Sequence, residues 1–232
     1  MITPNDLKEA ALRVIESAHA EGIECRLCGS LGVEYYVGAS SFSTRPAPAK
    51  DIDLITKSSS RRALQGLMKR LEWRLDESLL LLAEKRETYY LTGTIWTLDL
   101  YFDQIDGNHI IELEDRLGLA YPVIPLIDLL LTKLQRRCLR PVDEWDICLL
   151  LSLGFDGDSI AYFSTLAANN WSLYTTVTDN LRASMNNGCN ASRLLTAAER
   201  SPKTLRWKTR AIVGRRYKWW REVYSTATAI GS

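Results

Sequence analysis

From about residue 122 onward no stretch of this chain reads as a β-strand, while the residues before it switch repeatedly between strand and helix periodicity. That asymmetry is the strongest constraint on the fold. Strands confined to one half need a sheet there, and helices confined to the other need to pack on one another. The expected class is α+β: a small mixed sheet with flanking helices over residues 1–122, followed by an α-helical half over 123–232. In the first half, Thr3-Pro4-Asn5-Asp6 has the cap, the proline and the early acid of a helix start. Leu7, Ala11, Val14, Ile15 and Ala18 then recur at helical spacing as far as Gly22. Ile23, Cys25 and Leu27 alternate with Glu24 and Arg26, as in a short strand that runs through Gly29-Ser30 into a helix over Leu31–Val37. The Gly-, Ser- and Pro-rich stretch 38–49 reads as a loop, Ile52–Thr56 as a second strand and Ser58–Leu71 as a helix. β signals then dominate Trp73–Asp103, in Leu79–Leu82, Thr88–Thr92 and Ile95–Phe102, with turns at Gly93 and Asp106-Gly107-Asn108. Helices are expected over Pro125–Leu139, Val142–Leu153, Ser159–Asn169, Leu173–Met185, Ala191–Glu199 and Lys203–Tyr224.

A chain of 232 residues with 46% hydrophobic and 25% charged residues is long enough to bury a core and has the balance of a globular protein. No apolar run approaches the roughly 20 residues that span a bilayer. The N-terminus lacks a basic segment followed by an apolar one, so a cytoplasmic protein with no membrane contact is expected. Five cysteines, odd in number and scattered, suit reduced and buried thiols. Cys25 and Cys28 form a C-x-x-C, but on a strand they point to opposite faces.

Three short segments carry chemistry. Asp51-Ile52-Asp53 places two carboxylates on one face of a strand while Ile52 and Leu54 face the other way. Neighbouring carboxylates repel and raise each other's pKa. A divalent cation such as Mg²⁺, which favours carboxylate oxygens and substrate phosphates, resolves the repulsion. The plain alternative is a strand end with two solvated acids. Asp99 lies within Ile95–Phe102, a β-forming segment in which Asp is disfavoured, and so calls for a partner; Asp103 shares its alternation and competes with it. Gly29-Ser30, between a strand and a helix, points backbone N–H groups and a helix dipole at whatever binds there, phosphate above all.

In combination, Leu27-Cys28-Gly29-Ser30, Lys50-Asp51-Ile52-Asp53-Leu54-Ile55 and Leu98-Asp99-Leu100 resemble the signature of the DNA polymerase β-type nucleotidyltransferase superfamily. The resemblance implies that Gly29 and Ser30 hold a nucleoside triphosphate. It also implies that Asp51, Asp53 and Asp99 are catalytic and bind two Mg²⁺ ions. A second segment, Leu126–Leu134 with Lys133, then Arg136-Arg137 and Asp143-Glu144-Trp145-Asp146-Ile147, is similar to the abortive-infection, type IV toxin–antitoxin nucleotidyltransferases. That resemblance implies a phosphate contact from Lys133 and a nucleotide-binding place for Asp146, with Asp143 as a second candidate. It also implies a toxin-like enzyme with a cognate antitoxin as partner. Read from the residues alone, Lys133 is equally a Lys at the edge of an apolar helix face, and Asp143 a first-turn charge after Pro141. The loop before Asp51 is longer than the family's, with Pro46 and Pro48 inserted; the Arg that often precedes the Asp pair corresponds to Arg45 or Lys50.

The charge distribution bears on the acceptor. The net charge is +1, but residues 203–221 hold eight basic groups and no acid, which leaves 21 basic against 28 acidic groups, or −7, elsewhere. Trp207, Trp219 and Trp220 interleave with those cations, a pattern that suits RNA through stacking and phosphate contacts. The alternative is an amphipathic helix with Leu205, Ile212, Val213 and Trp219 on the core. The acidic remainder equally suits a cationic small-molecule acceptor of the aminoglycoside kind. A non-catalytic nucleotide-binding partner is the third reading.

Overall fold

The computed structural model describes residues 4–79 and 85–222. It divides into two compact units: Met1–Ile105 with Ile111–Leu129, and Asp106–Ile110 with Leu130–Ser232. The first unit holds a five-stranded mixed sheet and the second is built from helices, so the α+β class expected from the sequence is the one observed.

In the first unit, α1 (Pro4–Ala20) buries Leu7, Ala11, Val14, Ile15 and Ala18, the stripe that its spacing predicts. It leads to β1 (Cys25–Leu27), α2 (Gly29–Phe42), β2 (Asp51–Thr56), a short 3₁₀ turn at Ser58–Ser60, and α3 (Arg61–Arg70). β3 (Trp73–Leu75), β4 (Arg86–Leu91) and β5 (Thr97–Phe102) complete the sheet, in the order β1-β2-β5-β4-β3. Among the described strands of this sheet, β2 and β5 pair in parallel and the other pairings are antiparallel. Ile52, Leu54, Leu98, Leu100 and Phe102 are fully buried on the face covered by α1 and α3, where Arg61 of α3 lies 4.1 Å over the Phe102 ring. Leu27 also exchanges backbone hydrogen bonds with the 122–124 segment, which extends the outer edge of β1.

A two-stranded pair, β6 (Gln104–Asp106) and β7 (Ile110–Glu112), follows around the expected turn. α4 (Leu126–Leu134) comes next. The second unit then holds α5 (Pro141–Ser152), α6 (Gly157–Asn169), α7 (Trp171–Asn186), α8 (Ser192–Arg200) and α9 (Leu205–Val213). Asp156, Asn170 and Thr204 cap α6, α7 and α9 with side-chain oxygens that accept from the third residue on. Its core is Leu150, Phe163, Ala167, Leu173, Val177, Leu181, Leu194 and Ala198.

Four expectations need correction. The 38–49 stretch is not all loop: α2 continues past a break at Gly38 as far as Phe42, whose side chain is buried. α4 stops at Leu134 rather than Leu139, because the Asn180 side chain of α7 donates to the carbonyls of Leu134 and Arg136 and holds that end of the chain non-helical. α9 ends at Val213 because Gly214 takes φ 59°, and Tyr217, beyond a short 3₁₀ turn, is extended; the end of the helix expected to Tyr224 lies outside the described residues. Cys148 and Cys189 form a disulfide between α5 and the α7–α8 connection, where reduced thiols were expected; Cys25 and Cys28 are reduced and buried as expected, and Cys138 is reduced but exposed. Leu79 ends a 3₁₀ turn, and the rest of the Leu79–Leu82 strand, like the Thr3 cap, lies outside the described residues. Among the described residues no helix is long and apolar enough to cross a membrane.

Candidate active site

The parallel β2–β5 register sets Asp53 directly opposite Asp99 and Asp51 opposite Thr97. Because side chains alternate along a strand, Asp51, Asp53 and Asp99 share the face turned away from α1 and α3. β4 adds to it: Thr88 pairs with Asp99, and Arg86 with Tyr101. The three carboxylates, drawn from two separate sequence segments, are therefore neighbours on two adjacent strands.

Asp99 is held by two neighbours on β4. Its Oδ1 accepts from the Thr88 hydroxyl at 2.6 Å, and its Oδ2 lies 3.5 Å from Arg86 Nη1. Burial pushes its pKa up, the Asp51 charge adds to the rise, and Thr88 and Arg86 oppose it. Tyr101, next on the same face, is driven well above the usual phenol range by burial and then by the charges of Asp53 and Asp99. Arg86 loses hydration through burial. The charges of Asp99, Tyr101 and Asp53 and a hydrogen bond with Tyr101 more than offset this, so its pKa is raised. Thr88, Arg86 and Tyr101 were not singled out from the sequence; the signal was the shared alternation of Arg86-Glu87-Thr88 with the Asp99 strand, which only the pairing register makes specific.

Gly29 opens α2 at this same place. The Cys28 N–H donates to the Asp53 carbonyl at 2.9 Å, which ties the turn to β2. Gly29 has φ 61°, and a Cβ there would lie 1.9 Å from Asp53 Oδ2. Only glycine fits that position. Cys28 makes no side-chain cap to α2, so the positive first turn of the helix sits against the Asp53 carboxylate. Ser30 Oγ accepts from Arg45 Nη2 at 2.9 Å, while Arg45 Nη1 binds the Ala47 carbonyl. The long loop thus returns a guanidinium to Ser30. Lys50 is exposed beside Asp51.

Asp103 leaves the site. Its φ of 63° breaks the strand alternation, and its carboxylate turns to the Ser58 N–H and hydroxyl and to Lys85, 2.8 Å away. It anchors the 3₁₀ turn after β2. In the second unit, Lys133 and Asp146 form an ion pair at 2.9 Å, with side chains 4% and 0% exposed. Asp143 is buried on the same helix face and is chelated by Arg140, whose backbone N–H it also caps; burial works against its charge, but Arg140 and Arg136 hold its pKa below the usual carboxylate range.

The basic tail departs from its reading as an amphipathic helix packed on the core. Leu205 and Ile212 are 81% and 83% exposed, so they are not core residues. The tryptophans are half-buried and already stacked: Trp219 lies edge-on to Trp171 and Trp220, Trp207 to Tyr174, and Arg137 lies over both Trp219 and Trp220. Trp219 Nε1 donates to the Thr176 hydroxyl, which also bonds the ring of buried His109 at 2.8 Å.

The acidic face offers hard oxygen donors of the kind Mg²⁺ takes, and the Arg86 guanidinium shows that it attracts positive charge. Among the described residues no three His, Cys, Asp or Glu side chains close around a common point, so the match lies in donor chemistry and facing rather than in a finished coordination shell.

In comparisons with known proteins, no family model and no curated protein matches the chain. Among solved structures it is similar to the antibiotic-resistance factor ANT(2'')-Ia, whose solution structure reveals substrate-regulated conformation dynamics. The two are 8% identical over 92% of this chain and 98% of that one, with a TM-score of 0.45. A likeness that loose has no bearing on the chemistry.

Proposed function

We propose that the chain is a nucleotidyltransferase that moves a nucleoside monophosphate from an NTP to an acceptor hydroxyl and releases pyrophosphate. The observation that carries this reading is the register that sets Asp53 opposite Asp99, with the glycine-started helix α2 pressed against Asp53. In the reaction the acceptor oxygen bonds to the α-phosphorus as the bond from that phosphorus to its bridging oxygen breaks. Asp99 takes the hydrogen bond, and then the proton, of the acceptor hydroxyl. Asp51, Asp53 and Asp99 would hold Mg²⁺, which would supply neutralising charge for the triphosphate and the departing pyrophosphate. The first-turn N–H groups of α2 and the Ser30 hydroxyl, oriented by Arg45, bind phosphate oxygens. Lys133 and Asp146 enter this proposal through the family resemblance alone.

For the acceptor, the basic, tryptophan-bearing stretch 203–221 supports RNA, with tRNA first, and the resemblance to the type IV toxin group supports an antitoxin as partner. A small-molecule acceptor is the second reading, supported by the −7 charge outside the tail and by tryptophans already stacked within their own unit. The test incubates the protein with each labelled NTP, Mg²⁺ and either total tRNA or an aminoglycoside. Labelled RNA supports the first reading and labelled drug the second. No labelled product with any pair, from protein that melts cooperatively, refutes transferase activity and leaves a non-catalytic nucleotide binder. Asp51→Asn and Asp53→Asn serve as controls that must lose the label.

A further inference from the structure

We infer that Arg86 is a built-in competitor for the cation of this site, an internal counter-ion that must be turned off the carboxylates before a divalent metal can be held there. The inference rests on the nucleotidyltransferase reading of the acidic face. Three carboxylates on two neighbouring strands repel one another unless positive charge sits among them. In this chain that charge is covalent. Arg86 lies on β4 opposite Tyr101 and two residues from Thr88, so its side chain emerges on the acidic face. Its Nη1 lies 3.5 Å from Asp99 Oδ2. Thr88 occupies the other oxygen, Oδ1. Oδ2 is therefore the atom that the guanidinium addresses and that an entering metal needs.

Two further features suit a displaceable ion rather than a fixed strut. The Arg86 and Asp99 side chains are 26% and 24% exposed, so the guanidinium can swing into solvent without opening the core. At 3.5 Å the contact is a single long approach, in contrast to the Arg116–Asp128 pair, where Arg116 Nε donates to both oxygens of the fully buried Asp128 at 2.8 and 2.7 Å. Tyr101 holds the guanidinium from the neighbouring strand, and the Asp53 charge also reaches it. Arg86 thus lets the acidic face fold without a metal, and the consequence is weaker metal binding.

The experiment measures Mn²⁺ binding to the full chain, without nucleotide, by titration calorimetry and by the electron paramagnetic resonance signal of free Mn²⁺. Wild type is compared with Arg86→Gln, Arg86→Lys and Tyr101→Phe. Loss of a unit charge this close to the carboxylates should tighten binding about tenfold or more in Arg86→Gln. Arg86→Lys, which keeps the charge, should stay within about threefold of wild type, and Tyr101→Phe should tighten binding by a few-fold. A merely structural arginine would give the opposite sign, since loosening the fold weakens a metal site. Equal or weaker binding in Arg86→Gln that melts cooperatively overturns the inference. If that variant does not fold, Tyr101→Phe decides, and unchanged affinity there overturns it. Wild-type binding with no tightening sinks this inference alone. No Mn²⁺ binding by any form at millimolar concentrations sinks both it and the reading of the site beneath it.

Discussion

Lys133→Met separates the two roles that the sequence leaves open for Lys133. Its Nζ is 2.9 Å from Asp146 Oδ2, and neither side chain has appreciable access to water. At an effective dielectric of about 20, that separation corresponds to roughly 6 kcal/mol of attraction, set against a desolvation cost of similar size. The net worth of the intact pair is therefore small, but breaking it from one side is expensive: the Asp146 carboxylate stays buried without the ammonium that offsets its charge. The expected loss is about 3–5 kcal/mol. In a chain of this size that lowers the melting temperature by about 6–20 °C. The assay is thermal and urea denaturation of wild type, Lys133→Met, and Lys133→Met combined with Asp146→Leu. The double variant removes both charges and should recover to within about 1–2 kcal/mol of wild type. NTP binding is measured on the same three proteins. If Lys133→Met melts within about 1 kcal/mol of wild type, or the double variant is as unstable as the single one, the buried-pair argument is wrong. Loss of NTP binding at full stability would assign Lys133 to the nucleotide, as the family resemblance implies.

Gly29→Ala combines a positive φ with a Cβ 1.9 Å from the Asp53 carboxylate, so Asp53 must move; transfer and Mn²⁺ binding should each fall at least about a hundredfold, with a stability loss of about 1–3 kcal/mol by denaturation. Asp99→Asn should abolish transfer while melting no lower than wild type, because a raised carboxyl pKa means the folded protein disfavours that charge already; a clearly lower melting temperature would show that Asp99 is a structural anchor instead. His109, buried against Thr176, has its pKa lowered by burial to about 4 from 6.5. Since the folded state resists protonation, this group's contribution to stability is complete above pH 6.5 and is lost as pH falls towards 4, by about 3 kcal/mol in all. Denaturation across that pH range should show the slope in wild type and not in His109→Gln.

The sequence made the acidic site legible because its parts are local. Asp51 and Asp53 share a strand face whatever the strand pairs with, and Gly29-Ser30 marks a strand–helix joint by residue type alone. What alternation could not supply was the partner strand. Asp103 continues the alternation of Asp99 and Tyr101, yet its left-handed backbone turns the carboxylate to Ser58 and Lys85, a tertiary choice that leaves no periodic trace. Arg86 and Thr88 were invisible as site residues for the same reason: they join it through the β4–β5 register. Helix ends failed where a distant residue set them, as Asn180 does for α4. The tail misled in another way. Leu205 and Ile212 have core-like spacing but are exposed, and the tryptophans pack on Trp171, Tyr174 and Arg137, contacts that spacing alone does not show.

The site is set by residues that touch no substrate. A slip of one residue between β2 and β5 would turn Asp53 away from Asp99 and drive Ile52 and Leu54, both fully buried, out of the core. Each large side chain so exposed would cost about 1.5–3 kcal/mol, more than repulsion among partly solvated carboxylates at a strand surface can recover. The apolar face therefore fixes the register, and the register compels the carboxylates into proximity that they would otherwise avoid. Arg86, Thr88 and Tyr101 relieve that proximity from the neighbouring strand positions without removing it. The outcome is a face with residual affinity for positive charge, backed by a core that prevents it from relaxing by sliding apart. A metal-dependent phosphoryl-transfer site needs those two properties together.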